Sequence, residues 1–231
     1  MNQSKLIAGI IFACLLTLKL HGQENQLNIG IETGPGITLL HGNEILRHPD
    51  LMPRLGYAAG VAAQYNFKYF FSIKTGLYYE LKGEKIKSQY TDVNGTQLGT
   101  VYSHLNFNYL IIPVLAKVSF GKRTKFFIQG GPYVGFLFRE GEEEDAWGNY
   151  PKTIYILTSE FKLEDVGLSV GAGVEIPINE RFGITIEERN NIGLLNIAGH
   201  PVYHNGTIQT FSANFLLGVI YKLGFRAKAA K

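Results

Sequence analysis

Hydrophobic and polar residues alternate along most of the chain, most plainly near its C-terminal end. Across residues 211–225, every second residue is apolar, whereas the residues between them are mostly small or polar. The apolar row contains Phe211, Ala213, Phe215, Leu217, Val219, Tyr221, Leu223 and Phe225. A period of two predicts a β-strand with one apolar face.

Seven further segments show the same alternation, and no helical periodicity separates them. The eight segments are residues 27–38, 55–67, 70–82, 101–120, 125–138, 166–178, 182–197 and 207–225. Many exceed the ~5–6 residues usual for a strand. They match the ~9–11 residues that a tilted strand needs to cross a bilayer. The pattern therefore predicts an all-β protein with strands long enough to span a membrane.

The connections between these segments alternate in length. Short turns are expected at residues 68–69, 121–124 and 179–181, and long polar loops at residues 39–54, 83–100, 139–165 and 198–206. Outer-membrane barrels combine short periplasmic turns with longer extracellular loops and an even number of strands. The sequence thus predicts an eight-stranded, antiparallel, up-and-down transmembrane β-barrel with its long loops outside the cell.

Glycine indicates which face of each strand points inward. In the segment 166–178, the row of Val, Leu and Ile alternates with Gly167, Ser169, Gly171, Gly173 and Glu175. The interior of an eight-stranded barrel is only just wide enough for side chains. Eight bulky rows cannot fit there, so the small polar row is expected to face inward and the bulky row to face lipid.

The inward rows also carry charges of both signs, which we expect to form ion pairs that fill the barrel. These residues are Glu32, Lys74, Glu80, Lys82, Lys117, Glu175, Glu187, Arg189 and Lys222. A filled eight-stranded barrel is expected not to conduct. The segment 109–117 is apolar on both faces, so the sequence leaves its facing open. Pro113 and Pro132 are expected to cause a bulge or a local break, because proline removes a ladder donor.

The composition agrees with a membrane-spanning β-barrel and excludes some kinds of partner. The 231 residues include 13% aromatic residues and 27 glycines, and 18% charged residues, below the ~25% of ordinary globular chains. The formal net charge is +3, and without a basic stripe nucleic acid is excluded as a partner. Residues 1–22 have the basic start and apolar core of a signal peptide, which leaves a barrel domain at residues 23–231. The single cysteine, Cys14, lies within that signal peptide.

Three motifs resemble a known family. Residues 109–117 read YLIIPVLAK, residues 130–135 read GGPYVG, and residues 165–168 read DVGL, followed by GAGVE at 171–175. They are similar to consecutive strands of the PorT-like outer-membrane β-barrel family of Bacteroidota, whose Tyr-Leu-x-Ile-Pro-Leu-Leu-x-Lys strand the first motif follows. Many relatives carry a polar residue where this chain has Ile111. The resemblance implies an outer-membrane location and a closed barrel. It does not imply one activity, because some members belong to the type IX secretion machinery and most have no assigned role; an accessory role in a protein secretion system is one expectation that it allows.

Few residues of the sequence suggest a metal-binding or catalytic site. The acidic run at residues 140–145 could bind Ca²⁺, but it lacks a known ligand spacing and is typical of a solvated loop. Four histidines also fall in predicted loops; they are His41, His48, His200 and His204. An alternative function, a lipid-modifying enzyme, would use Ser103, His104 and His204 at one rim. A secreted, lipocalin-like carrier is the other alternative.

No catalytic, metal or cofactor-binding residue is therefore predicted, no cofactor is implied and no small-molecule substrate is evident. We expect an integral outer-membrane protein, not an enzyme, that has a structural or interaction role through its extracellular loops. Its expected partners are outer-membrane lipid and proteins of the cell surface or of a secretion system.

Overall fold

The computed structural model describes residues 26–43, 51–67, 70–91, 93–146, 151–156, 160–200 and 205–223. These residues form ten β-strands. The strands are β1 (Gln26–His41), β2 (Leu51–Met52), β3 (Arg54–Asn66), β4 (Phe71–Thr91), β5 (Gln97–Phe120), β6 (Lys125–Glu144), β7 (Thr153–Ile156), β8 (Glu164–Pro177), β9 (Phe182–Gly193) and β10 (Gln209–Leu223). The predicted signal peptide, with Cys14, lies outside the described residues. Within them, no helix is long and apolar enough to cross a membrane.

Eight long strands close into one antiparallel ring, in the order β1, β3, β4, β5, β6, β8, β9 and β10. The ring closes because β10 pairs with β1 along most of its length, from Leu27↔Leu223 to His41↔Gln209. Consecutive ring strands are neighbours, as in an up-and-down barrel. The predicted fold class is confirmed. The two short strands lie off the ring, where β2 pairs with β4 and β7 pairs with β6.

The facing of the strands follows the glycine rule. In β10, the side chains of Leu217 and Val219 are 54% and 46% exposed, whereas the adjacent Leu216 is 1% exposed. The same alternation holds in β1, β3 and β8, where the apolar rows are exposed and the small or polar rows face the lumen. The outer wall is therefore apolar and the inner wall polar, the reverse of a globular β-protein.

Aromatic side chains mark both rims of the apolar wall. Tyr79 packs against Tyr57 and Phe138, with ring centroids 5.3 and 5.8 Å apart, near the end that carries the long loops, called here the loop end. At the opposite end, called the turn end, Phe67 packs against Phe71 at 5.8 Å. Along β4, the eight residue steps from Phe71 to Tyr79 span about 27 Å, or roughly 20 Å in height after tilting. This is close to the ~25 Å band between the aromatic girdles of outer-membrane barrels.

The structure resolves the facing of β5, which the sequence left open. Tyr109, Ile111 and Lys117 are buried in the lumen, whereas Val114 and Val118 point outward. The row that includes Ile111 therefore brings bulky apolar side chains inside the barrel. The expectation of a small and polar inner row holds for β1, β3 and β8. It does not hold for β5, nor for β10, where Leu216 and Ile220 are buried.

Pro113 in β5 and Pro132 in β6 interrupt pairing, as expected. The β4–β5 ladder is broken between Thr75↔Val114 and Tyr78↔Ile111, next to Pro113. The β5–β6 ladder is likewise broken next to Pro132. Neither break shifts the register, and the bulge of the β5–β6 pair occurs instead at Asn108/Tyr109. Proline removes one donor here without re-aiming the strand.

Two of the predicted long loops contain substantial lengths of strand. β4 and β5 pair as far as Thr91↔Gln97, and β6 pairs with β5 up to Ser103↔Glu144. With β2 and β7, the continuing strands form a sheet beyond the barrel in the order β2, β4, β5, β6 and β7. We call this sheet the platform; it comprises residues 51–52, 83–91, 97–108, 139–144 and 153–156. The alternation of apolar and polar residues does not reveal the platform. Beyond the apolar band that faces lipid, both faces of a sheet can contact water.

Other boundaries shift by a few residues. The predicted segment 182–197 ends as β9 at Gly193, and the segment 207–225 begins as β10 at Gln209. The predicted turn at residues 121–124 is observed between β5 and β6, and Gly121 adopts a φ of 114° that favours glycine. The predicted turn at residues 68–69 lies outside the described residues.

An arginine on the outer face of β10 should destabilise the barrel. Leu217 lies at mid-strand, opposite Thr33 and Ile186, so Leu217→Arg should cost about 2–4 kcal/mol of folding free energy in lipid bilayers. Equilibrium unfolding in urea from phosphatidylcholine vesicles measures this cost. Val93→Arg, at a fully exposed position in the turn between β4 and β5, is the matched control and should change little. Equal costs for the two variants would contradict the assigned outer face.

Candidate functional site: the lumen and the platform

The centre of the lumen holds two cations and two carboxylates in direct contact. Lys74 Nζ lies 2.6 Å from Glu32 Oε1 and 2.6 Å from Glu187 Oε2. Arg189 Nη2 lies 2.9 Å from Glu32 Oε2 and 2.5 Å from Glu187 Oε1. The Tyr78 hydroxyl also donates to Glu32 at 2.7 Å. All five side chains are buried, and positive and negative groups alternate around the cluster, so each charge is compensated on two sides.

A second ion pair lies nearer the loop end. Lys82 Nζ is 3.0 Å from Asp165 Oδ2. The same carboxylate oxygen accepts hydrogen bonds from Thr210 at 2.6 Å and from Tyr133 at 3.0 Å. Four strands, β4, β6, β8 and β10, are tied together through this one carboxylate. Because both charged groups are fully buried, breaking the pair would leave an isolated charge in the interior.

Glu80, between these two clusters, is held by neutral groups. Asn191 and Asn214 each donate to its carboxylate at 2.8 Å, and the Ser212 hydroxyl donates as well. These donors come from β9 and β10, on the other side of the lumen from β4. Among the described residues, the contacts of Glu80 are hydrogen bonds rather than ion pairs. They connect β4 with β9 and β10 across the lumen.

The turn end of the lumen has its own cation. Lys117 Nζ lies 3.3 Å from Glu175 Oε2 and donates to Gln64 at 2.8 Å. The same ammonium group lies 3.8 Å from the centre of the Phe127 ring, a distance typical of a cation–π contact. These contacts fill the turn end of the lumen, as the central cluster fills its middle.

An apolar cluster extends from the centre of the lumen to its loop end. Its buried members are Leu40, Ala62, Tyr78, Phe107, Tyr109, Ile111, Tyr133, Leu137 and Ile197. Ile197 comes from the segment after β9 and is fully buried; its backbone NH donates to Ile208 at 2.8 Å. Phe161 packs edge-on against Phe107 with centroids 4.8 Å apart. The charged interior is thus covered by side chains at this end.

Glycines on the inner wall make room for the lumenal tyrosines. A Cβ atom at Gly60 or Gly76 would lie 2.6 or 2.5 Å from the Tyr78 ring, and a Cβ at Gly167 would lie 2.6 Å from the Tyr133 ring. Such distances are far below van der Waals contact, so the rings rest on bare backbone. The glycine-rich inner row is therefore a consequence of packing large side chains in a narrow barrel.

Eight of the nine predicted inward charges are buried, and the ninth, Lys222, is partly exposed near the turn end. The prediction missed three further buried carboxylates, namely Glu84, Glu140 and Asp165. Each lies in a stretch that the sequence pattern assigns to a loop. The continued alternation of β4 and β8 toward the loop end is the signal that could have revealed two of them.

Glu84 lies five residues beyond the rim marked by Tyr79, outside the membrane-spanning part of β4. Burial raises the pKa of its carboxyl to about 7. Its Oε2 atom is buried without a hydrogen-bond partner among the described residues. Protonation near neutral pH is the expected response of a carboxyl group without a counter-ion.

The residues suggested for an enzyme are not brought together. Ser103 is buried and His104 is partly exposed, because adjacent residues of a strand point to opposite faces. His104 Nε2 lies 3.4 Å from Asp145 Oδ2 instead. The third candidate, His204, lies outside the described residues. A serine activated by a histidine requires hydrogen-bond contact between them, which Ser103 and His104 do not make.

The candidate metal ligands are dispersed. Glu140 is buried, whereas the rest of the acidic run continues along β6 to the platform edge. His41 is the last residue of β1 rather than part of a loop, His200 lies 3.6 Å from Glu160, and His48 lies outside the described residues. In the part of the chain that the structure describes, no three His, Cys, Asp or Glu residues are arranged to hold a metal ion.

Comparison with known families decides the class of the chain. The model of the family described as "Outer membrane protein beta-barrel domain" matches residues 21–199. The chain belongs to this family. It is accordingly a protein of the outer membrane, and the apolar outer wall contacts lipid. The alternative of a secreted carrier is wrong, since the family is integral to the membrane and the lumen holds ion pairs rather than an apolar cavity.

The chain is also distantly similar to several solved structures. Neisserial surface protein A is 11% identical with a TM-score of 0.45, covering 84% of this chain and 96% of its own. The attachment invasion locus protein Ail of Yersinia pestis is 10% identical with a TM-score of 0.41, covering 85% and 98%. The outer membrane protease OmpT of Escherichia coli is 9% identical with a TM-score of 0.37, covering 90% and 100%. No curated protein sequence matches the chain.

Removing the buried cation near the loop end should destabilise the fold. Lys82→Met leaves Asp165 charged in the interior, so the variant should lose about 3–5 kcal/mol of unfolding free energy. The measurement is urea unfolding in vesicles, followed by the mobility shift between folded and unfolded protein on cold SDS gels. Lys152→Met removes an ion pair with Glu143 that is half exposed and should cost no more than about 1 kcal/mol. A Lys82→Met variant as stable as Lys152→Met would refute the lumenal network.

The filled lumen also predicts that the barrel does not conduct ions. The purified protein, inserted into planar lipid bilayers, should produce no stable large channel, because ion pairs and an apolar cluster occupy the interior. Single-channel recording tests this directly. Steady porin-like conductance would mean that the lumenal charges line an open pore.

Proposed function

We propose that the protein is a closed outer-membrane anchor that presents its platform to a protein partner. One observation carries the proposal: three barrel strands continue past the membrane as a paired sheet, as far as Thr91↔Gln97 and Ser103↔Glu144. A filled lumen leaves no route for solute through the barrel. The exposed surface beyond the lipid is then the part free to bind.

The loop end is proposed to face the cell exterior. The connections at the turn end are tight, as between β5 and β6 or between β8 and β9. Those at the other end are long and carry the platform. Outer-membrane barrels have short turns on the periplasmic side and long loops on the extracellular side. An amino-terminal signal peptide at residues 1–22 would direct the chain to this membrane.

A PorT-like role in secretion is the finer form of the proposal. The motif at residues 109–117 supports it, because it follows the Tyr-Leu-x-Ile-Pro-Leu-Leu-x-Lys strand of that family and its Lys117 faces the lumen. Ile111, which also faces the lumen, departs from the polar residue of many relatives. On this account the chain comes from a member of the Bacteroidota and acts as an accessory of a secretion system, without catalysing a reaction. The separation of Ser103 from His104 supports a non-enzymatic role over lipid modification.

Surface display of an inserted tag tests the orientation. Gly95 lies in the turn between β4 and β5, and a Cβ atom added there would have no other atom within 4 Å. A short epitope inserted after Gly95 should therefore be labelled by antibody on intact cells. The same epitope within residues 121–124 should be labelled only after the cells are broken. Labelling of the second tag on unbroken cells would invert the topology.

A photo-crosslinking amino acid tests whether the platform binds a partner. Placed at Val93, at the fully exposed tip of the platform, it should give a discrete protein adduct in living cells. Placed at Lys122, in a turn at the other end, it should not give that adduct. An adduct formed only from Lys122 would move the functional surface to the periplasmic side and refute the proposal.

A further inference from the structure

The platform ends in a strand with one free edge. β7 pairs with β6 from Gly141↔Ile156 to Glu144↔Thr153 and, among the described residues, with no other strand. Ile154, Tyr155 and Ile156 are 58%, 50% and 68% exposed. The unpaired side of such a strand presents a row of backbone donors and acceptors that can pair with another chain.

β7 lacks the features that usually protect an edge strand. Edge strands are commonly blunted by charged side chains, proline or a bulge. The sequence of β7 is Thr-Ile-Tyr-Ile, made of residues with high strand propensity, and its pairing with β6 runs without a register shift. The opposite edge of the platform, β2, is two residues long. The free edge of β7 is therefore the better template for an added strand.

The strand next to β7 is β6, which is strongly acidic, so an added strand should carry positive charge. β6 carries Glu142, Glu143 and Glu144 opposite the residues of β7, and Asp145 follows. Among the described residues, Lys152 lies 2.5 Å from Glu143, which neutralises only part of the charge of this acidic run. A strand added to β7 would lie about 10 Å from β6, within reach of paired lysine and glutamate side chains.

We propose that the free edge of β7 binds an extended, basic segment of a partner protein by β-strand addition. This inference rests on the proposed function and specifies the partner. Backbone hydrogen bonds to β7 give affinity, as in other cases of strand addition. Lysine or arginine side chains facing the acidic residues of β6 give selectivity. A second copy of this chain fits less well, because β7 itself carries no cation and the adjacent Lys152 is already paired with Glu143.

Binding of a synthetic strand tests the proposal. The protein is placed in nanodiscs of zwitterionic phosphatidylcholine, and the probe is a fluorescein-labelled peptide that alternates lysine with valine and threonine. Fluorescence anisotropy should show saturable binding that weakens at high salt. A peptide with glutamate in place of lysine, and one with a central proline, should each bind at least about tenfold more weakly.

Variants locate the binding to the edge. Ile156→Lys puts a like charge on the edge, and Glu142→Gln removes an acidic group; each should weaken binding of the lysine peptide. Val93→Lys adds the same charge at the platform tip, away from β7, and should leave binding unchanged. The mobility shift on cold SDS gels confirms that each variant is folded.

Three outcomes would overturn the proposal. These are no saturable binding, equal binding by the wild type and Ile156→Lys, or dimers that form through β7 without peptide. None of them would refute the platform as a binding surface, because the adduct at Val93 is a separate test of that function.

Discussion

The width of an eight-stranded barrel constrains the whole molecule. Such a ring encloses a space only just wide enough for side chains, so each large inward residue must face a small one. The tyrosine rings at positions 78 and 133 rest against glycines on neighbouring strands. The bulky apolar residues that cannot fit inside are placed on the outer wall, where lipid replaces the solvent. Both the polar interior and the apolar exterior follow from this single geometric limit.

Burying charge in this narrow space requires nearly complete pairing. An isolated ion in a protein interior costs several kcal/mol even after relaxation, and the central cluster avoids this by contacting each charge from two sides. The contacts join strands from opposite sides of the ring, such as Lys74 on β4 and Glu187 on β9. The network thus fixes which strands face one another, and it occupies the space that a channel would need. A closed barrel supports the proposal that binding takes place on the parts of the chain beyond the membrane.

Much of this fold is predictable from residue periodicity, and the failures have a common cause. Within the apolar band, lipid on one side and the lumen on the other impose strict alternation, so the facing of Leu217 and the burial of Glu187 follow from sequence. Beyond the band the two faces of the sheet differ less, and residues 83–91 and 139–144 are strands although their pattern predicts loops. The buried Glu140 escapes prediction for the same reason. The facing of β5 needs the tertiary structure, because apolar residues occupy both of its sides.

The lumenal network is tested most directly by a double-mutant cycle on Lys74 and Glu187, which lie 2.6 Å apart. Lys74→Met, Glu187→Gln and the double variant would be unfolded at equilibrium from lipid vesicles. If the two residues pair inside the barrel, the cost of the double substitution should be smaller than the sum of the single costs by about 1–3 kcal/mol. Additivity within about 0.5 kcal/mol would show that the two side chains do not interact and would contradict the filled, ion-paired lumen.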